Sequence, residues 1–263
     1  MKALVWEGPR VMTMREQSEP IVQPGEVVIK VAYVGICGSE LSGYLGHNAL
    51  RVPPLVMGHE FVGEIVGMGA EQSPGTLALS RGQLVTVNPL AYCGSCTFCQ
   101  RGLNQLCTNR RLLGAHRPGA FAEYVSVPAG LVTPLPEGVS LRTGALTEPA
   151  ACGVRIGELA GAVEGGVCLV VGAGPIGLLA LQTLQIQGAA RVFIAERDPA
   201  RLAMGAALGG EALDANTIDT VKTVRDATNG LGVIVAVDAV GLAATRQQCV
   251  SATQSTGTVI LSG

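Results

Sequence analysis

The sequence predicts two folds in series, a β domain followed by an α/β domain with a parallel sheet. Three observations carry that prediction. Gly and Pro cut the first 150 residues into short β-branched runs, and from about residue 155 short apolar runs alternate with helix-like stretches. The chain also holds 36 glycines against 3% aromatics, which suits tight turns and close backbone approaches. Its 263 residues suffice for two ordinary domains.

Taken in order, Ala3-Leu4-Val5-Trp6 reads as a first strand directly after Met1-Lys2, with no signal-like apolar region before it. Val27 to Val34 is β-branched and bounded by Pro24-Gly25 and Gly35. Phe61 to Val66 and Gln83 to Val87 follow the same pattern, and such strands suit a barrel-like β domain. Beyond a boundary near Glu148-Pro149, Val167–Val171, Arg191–Ala195 and Val233–Val237 read as strands. Ile176–Gln187, Pro199–Leu208 and Thr217–Thr228 read as the helices between them, and Thr258–Gly263 as a further strand. The expected domains are therefore 1–150 and 151–263. Val167 to Leu184 is long enough to imitate a membrane span, but Gly172-Ala173-Gly174-Pro175 interrupts it.

The charge balance is 18 − 20 = −2, which argues against nucleic-acid binding and against a polybasic membrane patch. With 48% hydrophobic and 14% charged residues, the chain is expected to be globular rather than disordered.

Four of the eight cysteines crowd together as C-x2-C-x2-C-x7-C: Cys93, Cys96, Cys99 and Cys107. One loop can wrap three thiolates round an ion while the fourth closes a tetrahedron, so the reading is a structural zinc site. Iron–sulfur ligation and a redox C-x-x-C are the rival readings. The clustering points to a reducing, cytoplasmic setting rather than a disulfide framework. Cys152, Cys168 and Cys249 read as small buried residues.

Gly172, Gly174, Pro175, Ile176 and Gly177 form a G-x-G-x-x-G turn between an apolar strand and a helix. The three glycines would serve a tight turn, approach to a pyrophosphate, and close helix–strand packing. Glu196 ends the next strand, 24 positions after Gly172, where a carboxylate would hold ribose hydroxyls and repel a 2′-phosphate. That favours NAD over NADP, with Arg197 and Arg201 as the countervailing charges. Cys37, His59 and Glu60 offer a second, weaker metal pattern of the open, catalytic kind.

The order GICGSE, GHEFVGEIVGMG, the four-cysteine loop, GAFAEYVSVP and GAGPIG resembles the zinc-containing medium-chain alcohol and polyol dehydrogenases over essentially the whole chain. PPLVMGHEFVG with Glu148-Pro149 is similar to the sorbitol, butanediol and threonine dehydrogenase branch. The resemblance implies a GroES-like catalytic β domain followed by a Rossmann coenzyme domain whose C-terminal part is missing from this chain. It implies hydride transfer from a polyol or secondary alcohol to NAD, one catalytic and one structural zinc, and a dimeric or tetrameric full-length protein. Cys37 and His59 match catalytic zinc ligands, and Ser39 matches the hydroxyl that takes the alcohol's proton. Glu148 or Glu60 completes the ligand set, and Val240-Gly241 and Leu261-Ser262 match the nicotinamide cradle. Of the two glutamates, Glu148 is preferred, because neighbours on an extended chain point to opposite faces and Pro149 favours an extended Glu148.

Some positions depart from that family. Ser42 stands where relatives carry a relay histidine, five places after the first ligand. His47 reads as a loop residue or a substitute relay, Tyr44 as pocket lining or packing, and His116 as a surface residue or pocket rim. The alternatives to a polyol dehydrogenase are a threonine 3-dehydrogenase-like enzyme and a catalytically silent nucleotide-binding relative.

Overall fold

A computed structural model describes residues 1–70 and 78–263. The chain separates into two compact units, Met1–Glu148 and Pro149–Gly263.

The first unit is built mainly of antiparallel strands. In chain order they are β1 (Lys2–Gly8), β2 (Val11–Glu16), β3 (Glu26–Val34), β4 (Leu55–Val56), β5 (Phe61–Met68), β6 (Leu84–Val87), β7 (Leu90–Ala91), β8 (Arg111–Leu112), β9 (Tyr124–Pro128) and β10 (Val132–Pro134). Short helices α1 (Gly38–Tyr44), α2 (Thr97–Gln100) and α3 (Leu141–Gly144) interrupt them. The central sheet has the order β10-β6-β5-β3-β9, flanked by β2-β1-β4 and the pair β7-β8. Its core packs Val27, Ile29, Phe61, Ile65, Val85, Val125 and Val127, so alternate residues along β3, β5 and β9 face inward.

Helix α4 (Thr147–Ala160) runs across the boundary between the units. Its first turn contains Glu148 and Pro149, so Glu148 is helical and not extended as the sequence reading held. Proline is accepted there because a first-turn residue has no intrahelical partner for its N–H, and an acid suits that end of the helix dipole.

The second unit alternates β11 (Val167–Val171), α5 (Pro175–Ile186), β12 (Arg191–Glu196), α6 (Pro199–Ala207), β13 (Glu211–Asp214), α7 (Thr220–Ala227), β14 (Val233–Asp238), α8 (Ala243–Ala252) and β15 (Thr253–Leu261). The sheet order is β13-β12-β11-β14-β15 and every pairing is parallel. In the unit's own strand numbering that is 3-2-1-4-5, the doubly wound order of dinucleotide-binding domains. The strands read as continuous apolar runs because helices cover both faces, and two apolar clusters lie on opposite sides of the sheet. Strand β15 begins at Thr253, five residues before the run read as a strand in the sequence, with a register shift against β14 between Val233 and Val235.

Candidate metal and coenzyme sites

Two local devices bring Cys37, His59 and Glu60 together. Cys37 is the N-cap of α1, and its backbone N–H donates to Glu40 Oε2 at 2.8 Å. His59 and Glu60 follow Gly58, whose φ of +96° is a left-handed value that favours glycine. A Cβ on Gly58 would also stand 2.7 Å from the Phe121 ring. Residues 57–60 lie outside any strand, so the rule that neighbours face opposite ways does not govern them. The ligating atoms of Cys37, His59 and Glu60 all lie within 4.8 Å of one another.

His59 is buried, and its Nδ1 is hydrogen-bonded to Glu40, which leaves Nε2 as the ring nitrogen available to the Cys37 side of the site. Burial works against the imidazolium, but hydrogen bonds to Cys37 and Glu40 and their charges outweigh it and raise the pKa to about 10. Glu148 lies outside the trio of ligating atoms. It nonetheless belongs to the same field: burial raises its pKa, the His59 charge lowers it, and Glu60 and Glu40 raise it further. A thiol, an imidazole and carboxylates crowded in a partly buried site suit a divalent cation, and this S, N, O donor set fits zinc.

Two residues of the site carried no signal recognised in the sequence. Glu40 is almost wholly buried behind His59, and the Cys37-x-x-Glu40 spacing of a helix N-terminal capping pair could have flagged it. Arg51 is buried beside it, donating from Nη2 to Ser39 Oγ at 3.2 Å and to Glu40 Oε1 at 3.3 Å. Nothing in the local sequence marks that arginine as internal. Tyr44 packs with Trp6, Leu55, Met57 and Phe121 and donates its hydroxyl to the Arg10 carbonyl at 3.0 Å. His116 is exposed and accepts the Leu112 N–H on Nδ1 at 3.0 Å, which fits its reading as a loop residue. His47 is also exposed.

The four-cysteine loop closes on itself. The sulfurs of Cys96 and Cys99, and of Cys107 and Cys93, lie 3.5 Å apart, and those of Cys93 and Cys99 4.0 Å apart. A tetrahedron of Zn–S bonds near 2.3 Å has an edge of about 3.8 Å, so the four sulfurs fit a closed zinc site. Backbone N–H groups of Ser95 and Cys96 hold the Cys93 thiol down to about 5, while burial and its sulfur neighbours push Cys99 up to about 12, so without a cation the cluster favours thiolate at one sulfur and thiol at the other. Burial pushes Cys168 up to about 11 and Cys249 up to about 12, as inert packed thiols.

In the second unit, Gly172 takes a φ of +99° and donates its N–H to the Ala195 carbonyl at 2.8 Å. A Cβ on Gly172 would stand 2.6 Å from Val240, and one on Gly177 would collide with the Gly172 carbonyl oxygen. Gly174 differs. It is the N-cap of α5 at φ −73°, where any residue is allowed, and a Cβ there would meet nothing within 4 Å. The protein itself has no use for a bare backbone at that position, whereas a phosphate approaching the helix N-terminus does. Pro175 and Ile176 open α5 behind it.

Glu196 Oε2 accepts from Ala173 N at 2.9 Å, and Oε1 accepts from Arg197 N at 2.6 Å and Asp198 N at 3.0 Å. Burial raises the Glu196 pKa, but those three N–H groups and the charge of Arg201 bring it below the usual carboxylate value. The carboxylate is thus ionised beside the glycine turn. Arg201 donates its backbone N–H to the Asp198 cap of α6, and Arg197 is tied to Asn216 Oδ1 at 3.0 Å.

Comparisons with known proteins agree with both units. Residues 23–137 match the family of alcohol dehydrogenase GroES-like domains, and residues 175–263 match the family of zinc-binding dehydrogenases. A sorbitol dehydrogenase of Halalkalibacterium halodurans is 35% identical over 92% of this chain and 70% of its own length. An L-threonine 3-dehydrogenase of Pyrococcus abyssi is 34% identical over 94% of this chain and 71% of its own. The crystal structure of a zinc-binding dehydrogenase from Sinorhizobium meliloti 1021, bound to NADP, superposes with a TM-score of 0.93 at 31% identity, covering 100% of this chain and 76% of that one. A parallel sheet with a bare glycine turn, a β unit with a mixed-donor trio, a closed four-cysteine loop and these relatives agree: the chain belongs to the zinc-containing medium-chain alcohol and polyol dehydrogenases, a family of oxidoreductases.

Proposed function

We propose that the chain oxidises a polyol or secondary alcohol with NAD at a zinc site formed by Cys37, His59 and Glu60, with Glu148 beside them. The observation that carries the reading is the convergence of those three donors while Glu40 occupies the remaining nitrogen of His59. Bound zinc supplies Lewis acidity at the alcohol oxygen, and bound nicotinamide accepts the reducing equivalents. The chain's own residues do the rest. Glu40 fixes the imidazole tautomer, so Nε2 is the nitrogen offered. Ser39 Oγ accepts from Arg51 and keeps a second lone pair and its own O–H, so it can take the alcohol's proton and pass one on. The ionised Glu196 receives ribose hydroxyls and repels a 2′-phosphate, the basis for NAD over NADP. The four cysteines hold a second, structural zinc, whose thiolates require a reducing compartment such as the cytoplasm. A dimer or tetramer belongs to the same reading and rests on the family resemblance alone. The threonine dehydrogenase relative keeps threonine as a second candidate substrate.

The test is zinc content per chain together with reduction of NAD and NADP over a panel of polyols, secondary alcohols and threonine. Two zincs are expected in the wild type. Cys37→Ala is expected to hold one, to lose nearly all turnover and to keep binding NAD, since the coenzyme turn lies in the other unit. Full turnover by zinc-depleted Cys37→Ala would overturn the reading.

A further inference from the structure

Arg51 stands in the link between α1 and β4, and its side chain is 1% exposed. Burying a guanidinium is strongly unfavourable unless acceptors replace its water. Three acceptors from two segments, α1 and the turn at Gly114, do so. Nε donates to the Gly114 carbonyl at 3.2 Å, and Nη2 is shared between Ser39 Oγ at 3.2 Å and Glu40 Oε1 at 3.3 Å. Two glycines make room for this arrangement. A Cβ on Gly43, inside α1, would stand 2.6 Å from Arg51 Cδ, and a Cβ on Gly114 would stand 2.9 Å from the Gly58 nitrogen. Glycine within a helix is less favourable than alanine, and here it leaves room for the arginine stem beside α1. The Gly114 contact anchors the guanidinium to backbone lying against the residue that precedes His59.

The two side chains that share Nη2 are the hydroxyl proposed to handle the alcohol's proton and the carboxylate that holds His59. We propose that Arg51 is a positioning residue of this site: its Nε is anchored on the Gly114 carbonyl while its Nη2 fixes Ser39 Oγ and the Glu40 carboxylate together, so that hydroxyl and imidazole keep one geometry. Donation into Ser39 Oγ directs the serine's own O–H away from the guanidinium. Donation into Glu40 Oε1 holds that carboxylate on His59 Nδ1, while Cys37 N–H holds its other oxygen. A lysine supplies the charge but not a planar fork able to serve separate acceptors. The inference rests on the reading that Cys37, His59 and Glu60 hold zinc.

The experiment uses the zinc-loaded chain and the variants Arg51→Met, Arg51→Lys, Ser39→Ala and Arg51→Met/Ser39→Ala. Zinc release to a chromogenic chelator is followed for both sites, with the four-cysteine zinc as an internal control for folding, and kcat, KM and Tm are measured. Arg51→Met is expected to speed release from the trio about 10- to 100-fold, the range found for partners behind metal ligands, with the four-cysteine zinc leaving at the wild-type rate. Its kcat is expected to fall by a similar factor while KM for the alcohol stays within about twofold, because ground-state binding is untouched. Arg51→Lys should recover Tm but not kcat. In the Ser39→Ala background the Arg51→Met loss in kcat should shrink, as for residues that act as one unit. Wild-type release and kcat in Arg51→Met or Arg51→Lys would overturn the inference. So would equal acceleration at both zinc sites with a lowered Tm, which marks a purely architectural arginine, or a strictly additive double variant. A wild-type chain holding one zinc would overturn the site reading itself, whereas two zincs with an unaffected Arg51→Met would overturn only the role of Arg51.

Discussion

Glu60 and Glu148 separate at the scale of single residues. Glu60 presents a carboxylate oxygen within 4.8 Å of Cys37 Sγ and a His59 ring nitrogen, whereas Glu148 shares only their field. Glu60→Gln is therefore expected to release the trio's zinc and abolish turnover, while Glu148→Gln keeps two zincs per chain and lowers kcat by about 10- to 100-fold through its effect on the site's charge. Metal analysis of the two purified variants decides it, and zinc loss confined to Glu148→Gln would reverse the assignment. The donors themselves were legible in the sequence, because Cys, His and Glu stand in recognisable motifs. Their directions were not, since these hinge on the left-handed Gly58 and on a chain that leaves strand geometry over residues 57–60. Arg51 was illegible for a deeper reason. An arginine in a link between elements is normally solvated, and only the tertiary meeting of Ser39, Glu40 and Gly114 makes this one internal.

At the scale of elements, β3 and β9 are braced by a polar clasp as well as by their ladder. Glu26 of β3 accepts from Ser126 Oγ of β9 and from Arg117 Nη2, the latter at 2.7 Å, and Arg117 also donates to the Ser126 carbonyl at 3.1 Å. Burial raises the Glu26 pKa, but those partners prevail and hold it below its ordinary 4.5. A carboxyl whose folded value lies below its unfolded one adds stability above the unfolded value and loses it as pH falls through the folded value. Wild type should therefore melt higher than Glu26→Gln at neutral pH, and the gap should close as the pH falls below the ordinary 4.5 and through the lowered folded value. A gap that stays constant through the acid range would show that the clasp acts by shape and not by charge. Element identity was largely readable in advance, because apolar runs of β-branched residues became β3, β5, β11, β12 and β14. Boundaries were less so. The start of α4 was hidden by Pro149, which reads as a helix breaker in a linear pattern yet is welcome in a first turn. The early start of β15 at Thr253 was hidden by the polar stretch Thr253–Thr256, which offers no apolar run.

At the scale of the whole chain, both residue groups able to hold a metal lie in Met1–Glu148 and the glycine turn proposed for coenzyme lies in Pro149–Gly263, each unit with its own apolar core. A ligand that binds only the folded form stabilises what it binds by RT ln(1 + [L]/Kd), about 2.7 kcal/mol at a hundredfold excess over Kd. Zinc and coenzyme should therefore protect different parts of the chain. In hydrogen exchange, NAD at about 100 times its Kd is expected to slow the amides of β11, β12 and β14 that open by unfolding of their unit by about a hundredfold, leaving β3 and β5 nearly unchanged. Stripping zinc with a chelator is expected to do the reverse. It should speed exchange across residues 93–112, which the four cysteines bring together, and around residues 57–60, while β11 and β12 keep their protection. The acids around the site explain why that second segment responds: Glu40, Glu60 and Glu148 press on one another once the cation is withdrawn, and His59 and Arg51 offset part of that charge. Protection by NAD spread evenly over β3, β5 and β11, or chelator-induced opening of β11 and β12 equal to that of the four-cysteine loop, would mean that the two units unfold as one and that zinc and coenzyme stabilise a single cooperative structure.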